Sequence, residues 1–105
     1  MAYPRPKKTP LVHPGEFLRE DFLEPLELTQ KALADATGMP ASRIGQIIAG
    51  KRSVTADTAM RLGRALGTTA RFWMNLQQTY DLEAARRASE KQINRTVKRL
   101  VKGAA

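Results

Sequence analysis

Five positions within residues 30–50 constrain this chain more than any others: a small Ala34, Gly38 four residues later, Met39, and the branched Ile44 and Ile47. Ala34 lets two backbones approach closely. Gly38 can take the left-handed conformation that a turn between two helices needs, Met39 fills the space beneath that turn, and Ile44 with Ile47 forms the inner face of a second helix. Thr29 is placed to N-cap the first helix, Gln30 to Thr37, whose apolar positions are Leu33, Ala34 and Ala36. Met39, Pro40, Ala41 and Ser42 open the second, which runs to Ala49 with Ile44, Ile47 and Ile48 inward, and Gly50 ends it.

The rest of the chain supplies the partners for this pair. Pro14 suits a first-turn position, and Phe17, Leu18, Phe22 and Leu26 recur at helical spacing until Pro25 interrupts, which predicts a helix over about 14–24. Thr55 caps a fourth helix with Ala59, Leu62, Ala65 and Leu66 inward and Gly67 after it; Thr68 or Thr69 caps a fifth carrying Phe72, Trp73, Leu76 and Tyr80. No segment of four or more residues alternates in the manner of a strand. The expected fold is therefore all-α, five helices over 13–80. A flexible, proline-rich tail at 1–12 is expected before it. After it comes a basic helix or tail at 81–105, where Leu82, Ala85, Ile93, Val97 and Leu100 keep a helical spacing among Arg86, Arg87, Lys91, Arg95, Lys98, Arg99 and Lys102.

Charge narrows the partners. The 105 residues hold 18 Lys and Arg against 10 Asp and Glu, a net +8, with one His and no Cys. Disulfide scaffolds and cysteine-ligated metal sites are excluded, and no apolar stretch approaches the roughly 20 residues that cross a bilayer. No apolar run of a secretory signal follows the basic N-terminus, so a cytoplasmic location is expected. The charge is also segregated: residues 13–36 carry −4, two bases against six acids, whereas 37–54 carry +3 and no acid at all, and 81–105 carry +4. An acid-free outward face on the second helix of the pair is what entry into a DNA major groove requires. Together with the Ala34–Gly38–Met39–Ile44–Ile47 spacing it points to a DNA-binding helix-turn-helix, with helices at about 30–37 and 41–49.

The segments HPGEFL, LTQKALADATG and MPASRIGQIIAGKRSVTADTAMRLGRALGTTARFWMNLQQTYDLEA, spanning about 13–85, resemble the HigA-type antitoxins, a branch of the Cro/lambda-repressor-like (XRE) helix-turn-helix proteins. The resemblance implies a five-helix domain, a homodimer, binding to double-stranded operator DNA that represses its own operon, and inhibition of a HigB-type toxin that cleaves mRNA on the ribosome. It also implies that Ala41, Ser42, Arg43 and Gln46 face the major groove and that Gln30 binds a phosphate. Side-chain chemistry agrees: Gln46 can pair bidentately with adenine N6 and N7, Arg43 with guanine O6 and N7 or with a phosphate, and Ala41 can meet a thymine methyl. Gly45 leaves one outward position blank. Lys51, Arg52 and Thr55 are expected to contact phosphates and fix register.

Glu16, Glu20 and Glu24, at four-residue spacing on helix one, cannot assist DNA binding; they form either a solvated face near a helix N-terminus or a dock for a basic toxin. Phe72, Trp73, Leu76 and Tyr80 form a stripe that is either core or, as the resemblance favours, partly a dimer interface. His13 has no nucleophile, acid pair or second ligand placed with it and is expected to cap helix one. No general acid and base converge anywhere, so no enzyme, metal, cofactor or small-molecule ligand is expected. A stand-alone helix-turn-helix transcription regulator is the alternative function.

Overall fold

The structure, a computed structural model, describes residues 11–102, so the expected tail at 1–12, except for its last two residues, and the final three residues of the basic segment lie outside the described residues. Helix α1 (Pro14–Leu18) begins where Nδ1 of His13 accepts the Gly15 N–H at 2.9 Å, and it continues without a break into a π-helical turn (Arg19–Leu23). The wider turn has a physical cause. Leu18 and Leu23 are five residues apart, a spacing that an α-helix spreads around its circumference but a π turn aligns, and both end in the core. The chain then leaves through Glu27, whose φ of 54° is left-handed, while the N–H of Leu28 bonds the Leu23 carbonyl at 2.9 Å. Leu26, expected on the inner face, is exposed because it lies in this turn.

Helix α2 (Gln30–Thr37) is capped by Thr29, whose hydroxyl accepts the Ala32 N–H at 3.0 Å, and it ends at Gly38 with φ 70°. Helix α3 (Ala41–Ile48) follows directly and closes at Gly50, φ 75°. Helix α4 (Ala56–Leu66) is capped by Thr55 and ended by Gly67. Thr69 caps α5 (Ala70–Thr96) through the Phe72 N–H, whereas the Thr68 hydroxyl accepts the indole N–H of Trp73 at 2.7 Å. Among the described residues there is no strand, as the all-α expectation required.

Leu18, Ile44, Ile47, Ala59, Leu62 and Trp73 are fully enclosed at the centre. Phe17, Phe22 and Phe72 surround Trp73 with ring centroids 5.1–6.3 Å from it, mostly edge to face. Every buried side-chain polar atom among the described residues has a hydrogen-bond partner. α1 crosses α3 so closely that a Cβ on Gly15 would lie 1.8 Å from the Ile47 carbonyl oxygen.

α5 does not divide at Tyr80. It is one 27-residue helix, and its second half leaves the core to give a body 51 Å long and 26 Å wide. The expected fifth helix and the basic segment after it are thus continuous as far as Thr96. Beyond, Val97 is extended and Leu100 is 95% exposed: their helical spacing meets no surface on which to bury an apolar face, and tertiary packing supplies most helix stability.

Candidate nucleic-acid interface

Helix α3 turns Ile44, Ile47 and Ile48 inward, leaving Ser42 and Gln46 exposed on the opposite side, Arg43 half-buried on the flank, and Ala41 exposed as the first residue of the helix, on the side of Ile44 and Ile48. No side chain caps its N-terminus, because Pro40 occupies the N-cap position. The first amides of α3 therefore open toward solvent with a positive dipole end, and the nearest side chains carry no acid.

Two contacts draw neighbouring segments onto this face. The ideal Cβ position of Gly45 lies 3.4 Å from Oε1 of Gln30, so the outward position that Gly45 leaves blank is overlain from the start of α2. Arg52, in the turn after α3, donates from Nε to Oε1 of Gln46 at 2.9 Å. Lys51 is exposed, and its backbone N–H bonds the Gln46 carbonyl at 2.8 Å, closing the helix. The structure thus gathers Gln30, Gln46 and Arg52 around one surface with Ser42; Lys51 is exposed in the turn next to Arg52, and Ala41 at the first turn of α3. Thr55 is exposed nearby in sequence, but its hydroxyl is engaged in its own cap, accepting the Thr58 N–H at 3.4 Å and donating to Thr58 Oγ1 at 3.3 Å.

Two residues that position this surface escaped the sequence reading. Gln77 is buried on α5; its Oε1 accepts the Val54 N–H at 2.8 Å and its amide donates to Asp81 at 2.9 Å, tying the loop that carries Lys51 and Arg52 to α5. Its signal was a polar residue four positions after Trp73 on the inward stripe. Arg61 on α4 bonds Asp57 at 2.6 Å and the Thr37 carbonyl at 2.9 Å, which caps the end of α2. Among the described residues no group of three or more His, Cys, Asp or Glu could hold a metal ion, and no helix is long and apolar enough to cross a membrane.

Residues 20–73, just over half the chain, match the helix-turn-helix family model. A structure of the Pseudomonas aeruginosa antitoxin HigA with the higBA promoter is 41% identical in sequence, superposes with a TM-score of 0.83, and is covered over 100% of its length by 88% of this chain. The chain belongs to the HigA-type antitoxins of the helix-turn-helix family. Antitoxin HigA-1 of Vibrio cholerae is 44% identical over 68 residues, 65% of this chain and 64% of that protein. Virulence-associated protein I of Dichelobacter nodosus is 46% identical over 86 residues, 81% of this chain and 80% of that one.

Glu20 and Glu24 are exposed but not free, since Arg19 bridges them at 3.1 and 2.7 Å, and Glu16 is half-buried one turn earlier. The π turn between them breaks the even four-residue line that the sequence suggested. Of the aromatic stripe, Trp73 is wholly buried within its own chain and bonded to Thr68, so it is core and cannot meet a second subunit. Phe72, Leu76 and Tyr80 are each half-buried. Further along α5, Leu82 and Ile93 are 53% and 49% exposed; three helical turns apart, they lie on one side. Tyr80 stacks edge-on against His13, ring centroids 4.9 Å apart. His13 is the α1 cap that the sequence suggested, and burial pulls its pKa below the ordinary 6.5, opposed by the charge of Asp81.

Proposed function

We propose that this chain is the antitoxin of a toxin–antitoxin pair. As a homodimer it binds double-stranded operator DNA with α3 in the major groove, represses its own operon, and neutralises a HigB-type mRNA-cleaving toxin in the cytoplasm. One observation carries the DNA-binding part: the acid-free face of α3, onto which Gln30 is folded from α2 and Arg52 from the following turn. The similarity to HigA of Pseudomonas aeruginosa, whose structure holds its higBA promoter, supports DNA binding. Ala41, Ser42, Arg43 and Gln46 address base edges, while Gln30, Lys51, Arg52 and Thr55 address the backbone. The two copies pair through the half-buried Phe72, Leu76 and Tyr80 on α5, and to read two half-sites one helical turn of DNA apart they have to hold their α3 helices about 34–36 Å from one another.

Binding of a labelled duplex carrying the promoter upstream of this gene, against a scrambled duplex of equal length, tests the repressor role. The expected preference is at least about a thousandfold at physiological salt; equal affinities would refute it. For the toxin, co-expression with the product of the adjoining gene should relieve growth arrest. Glu16, Glu20 and Glu24 are the proposed dock, so Glu20→Lys with Glu24→Lys should abolish rescue and spare operator binding. Unchanged toxin affinity would remove α1 from the interface, and no rescue by wild type would leave a stand-alone regulator.

A further inference from the structure

The Gln46–Arg52 hydrogen bond has a direction that chemistry fixes. An arginine Nε–H only donates, so the Gln46 atom 2.9 Å from it is the carbonyl Oε1, and the amide NH2 is turned away from the guanidinium. Arg52 is itself held in place: the turn before it is closed by the Gly50 and Lys51 N–H groups on the Ile47 and Gln46 carbonyls at 3.0 and 2.8 Å. Two residues later the Val54 N–H is anchored on buried Gln77 at 2.8 Å. Both side chains of the pair are exposed on the side of α3 that faces away from the core.

An unconstrained glutamine reads adenine with both ends of its amide, accepting from N6–H and donating to N7. Here the accepting end is directed at Arg52. The pair therefore displays donors: the Gln46 NH2 and the remaining guanidinium N–H groups, with no acid between 37 and 54 to compete for them. Oε1 keeps one further lone pair, but the guanidinium occupies the approach an adenine N6–H would use, so the surface is weighted toward donors and favours guanine, which offers two acceptors, N7 and O6, at its major-groove edge. We infer that Arg52 is a specificity-determining residue: by holding the Gln46 carbonyl oxygen it converts Gln46 from an adenine reader into half of a guanine-selecting pair. Arg52 is then more than the phosphate clamp its sequence position suggested. This rests on α3 being the major-groove helix.

Selection from a duplex library randomised over two helical turns, run with the full-length protein and its Gln46→Ala, Arg52→Ala, Arg52→Lys and Lys51→Ala variants, tests it. The wild type should select guanine at the position whose preference Gln46→Ala erases. Arg52→Ala should move that position toward adenine by about tenfold, Arg52→Lys should keep guanine because an ammonium also donates to Oε1, and Lys51→Ala should weaken all sequences alike. Thermal melts within a few degrees of wild type verify that these exposed substitutions leave the fold intact. An unchanged consensus with uniformly weaker binding for Arg52→Ala would overturn the inference and make Arg52 a phosphate contact only. Adenine at the Gln46 position in the wild type would overturn it while leaving the DNA-binding role standing. A wild type that selects no consensus removes that role and the inference with it.

Discussion

Replacing Gly15 by alanine sets two effects of opposite sign against each other. Alanine is the better helix former by about 1 kcal/mol, so propensity alone predicts a more stable protein. The tertiary structure predicts the reverse, because the new Cβ would lie 1.8 Å from the Ile47 carbonyl oxygen, 2.5 Å from its carbon and 2.9 Å from Ile48 Cα, all rigid backbone. Even the shortest contact that real Cβ atoms make, 3.0 Å, requires α1 and α3 to part by the difference from 1.8 Å, at least 1.2 Å. A gap of about 0.5–1 Å already forfeits a quarter to a half of the dispersion well. Leu18 and Ile47, both fully buried near this crossing, would lose on that order from burial worth about 1.5–3 kcal/mol each. With residual overpacking strain of about 1–3 kcal/mol, the net cost after the gain in propensity is about 1–5 kcal/mol, a fall in melting temperature of about 4–20 °C by circular dichroism for a domain of this size. Gly45→Ala is the internal comparison: its Cβ would meet only the flexible end of Gln30 at 3.4 Å, so it should melt at or slightly above wild type. A Gly15→Ala protein that melts at or above wild type would refute the argument.

Three further outcomes are expected. Gln77→Leu leaves the buried Val54 N–H without its acceptor and should cost about 1–3 kcal/mol in urea unfolding; no change in midpoint would show that the loop is held otherwise. Glu27→Gly relieves a left-handed residue at φ 54° and should stabilise by about 0.5–1 kcal/mol, measurable as a higher denaturation midpoint. His13, with its folded-state pKa below 6.5, binds a proton more weakly folded than unfolded. Its contribution is complete above about pH 6.5 and declines as pH falls through the folded value, where protonated Nδ1 can no longer accept the Gly15 N–H. The stability difference between wild type and His13→Ala should therefore shrink on acidification from pH 7.5 to 5; a constant difference would contradict this.

Local signals carried much of the fold. Thr29, Thr55 and Thr69 each supply the cap that their position predicts, and Gly38, Gly50 and Gly67 each take the left-handed conformation after a helix. Caps and turns are short-range chemistry, settled by a few neighbouring residues. The π turn at Arg19–Leu23 was not legible, since it follows from having to bury Leu18 and Leu23 together. Nor was the extent of α5: the composition turns basic after Tyr80 although no breaker stands there, and the helical spacing runs on through Val97 and Leu100 although the helix stops at Thr96, so packing and not pattern sets its length.

The site divides the same way. Sequence by itself determined that residues 37–54 present basic and polar groups without an acid, and that Ile44 and Ile47 fix which side of α3 faces out. Only the tertiary structure decided that Trp73 is sealed in the core, that Gln77 anchors the loop after α3, and that Arg52 turns the amide of Gln46. The physical reason is range. Helical periodicity orients a side chain relative to its own axis. Which end of an amide faces outward depends on a partner delivered by a turn and a loop, and those take their positions from contacts with a distant helix.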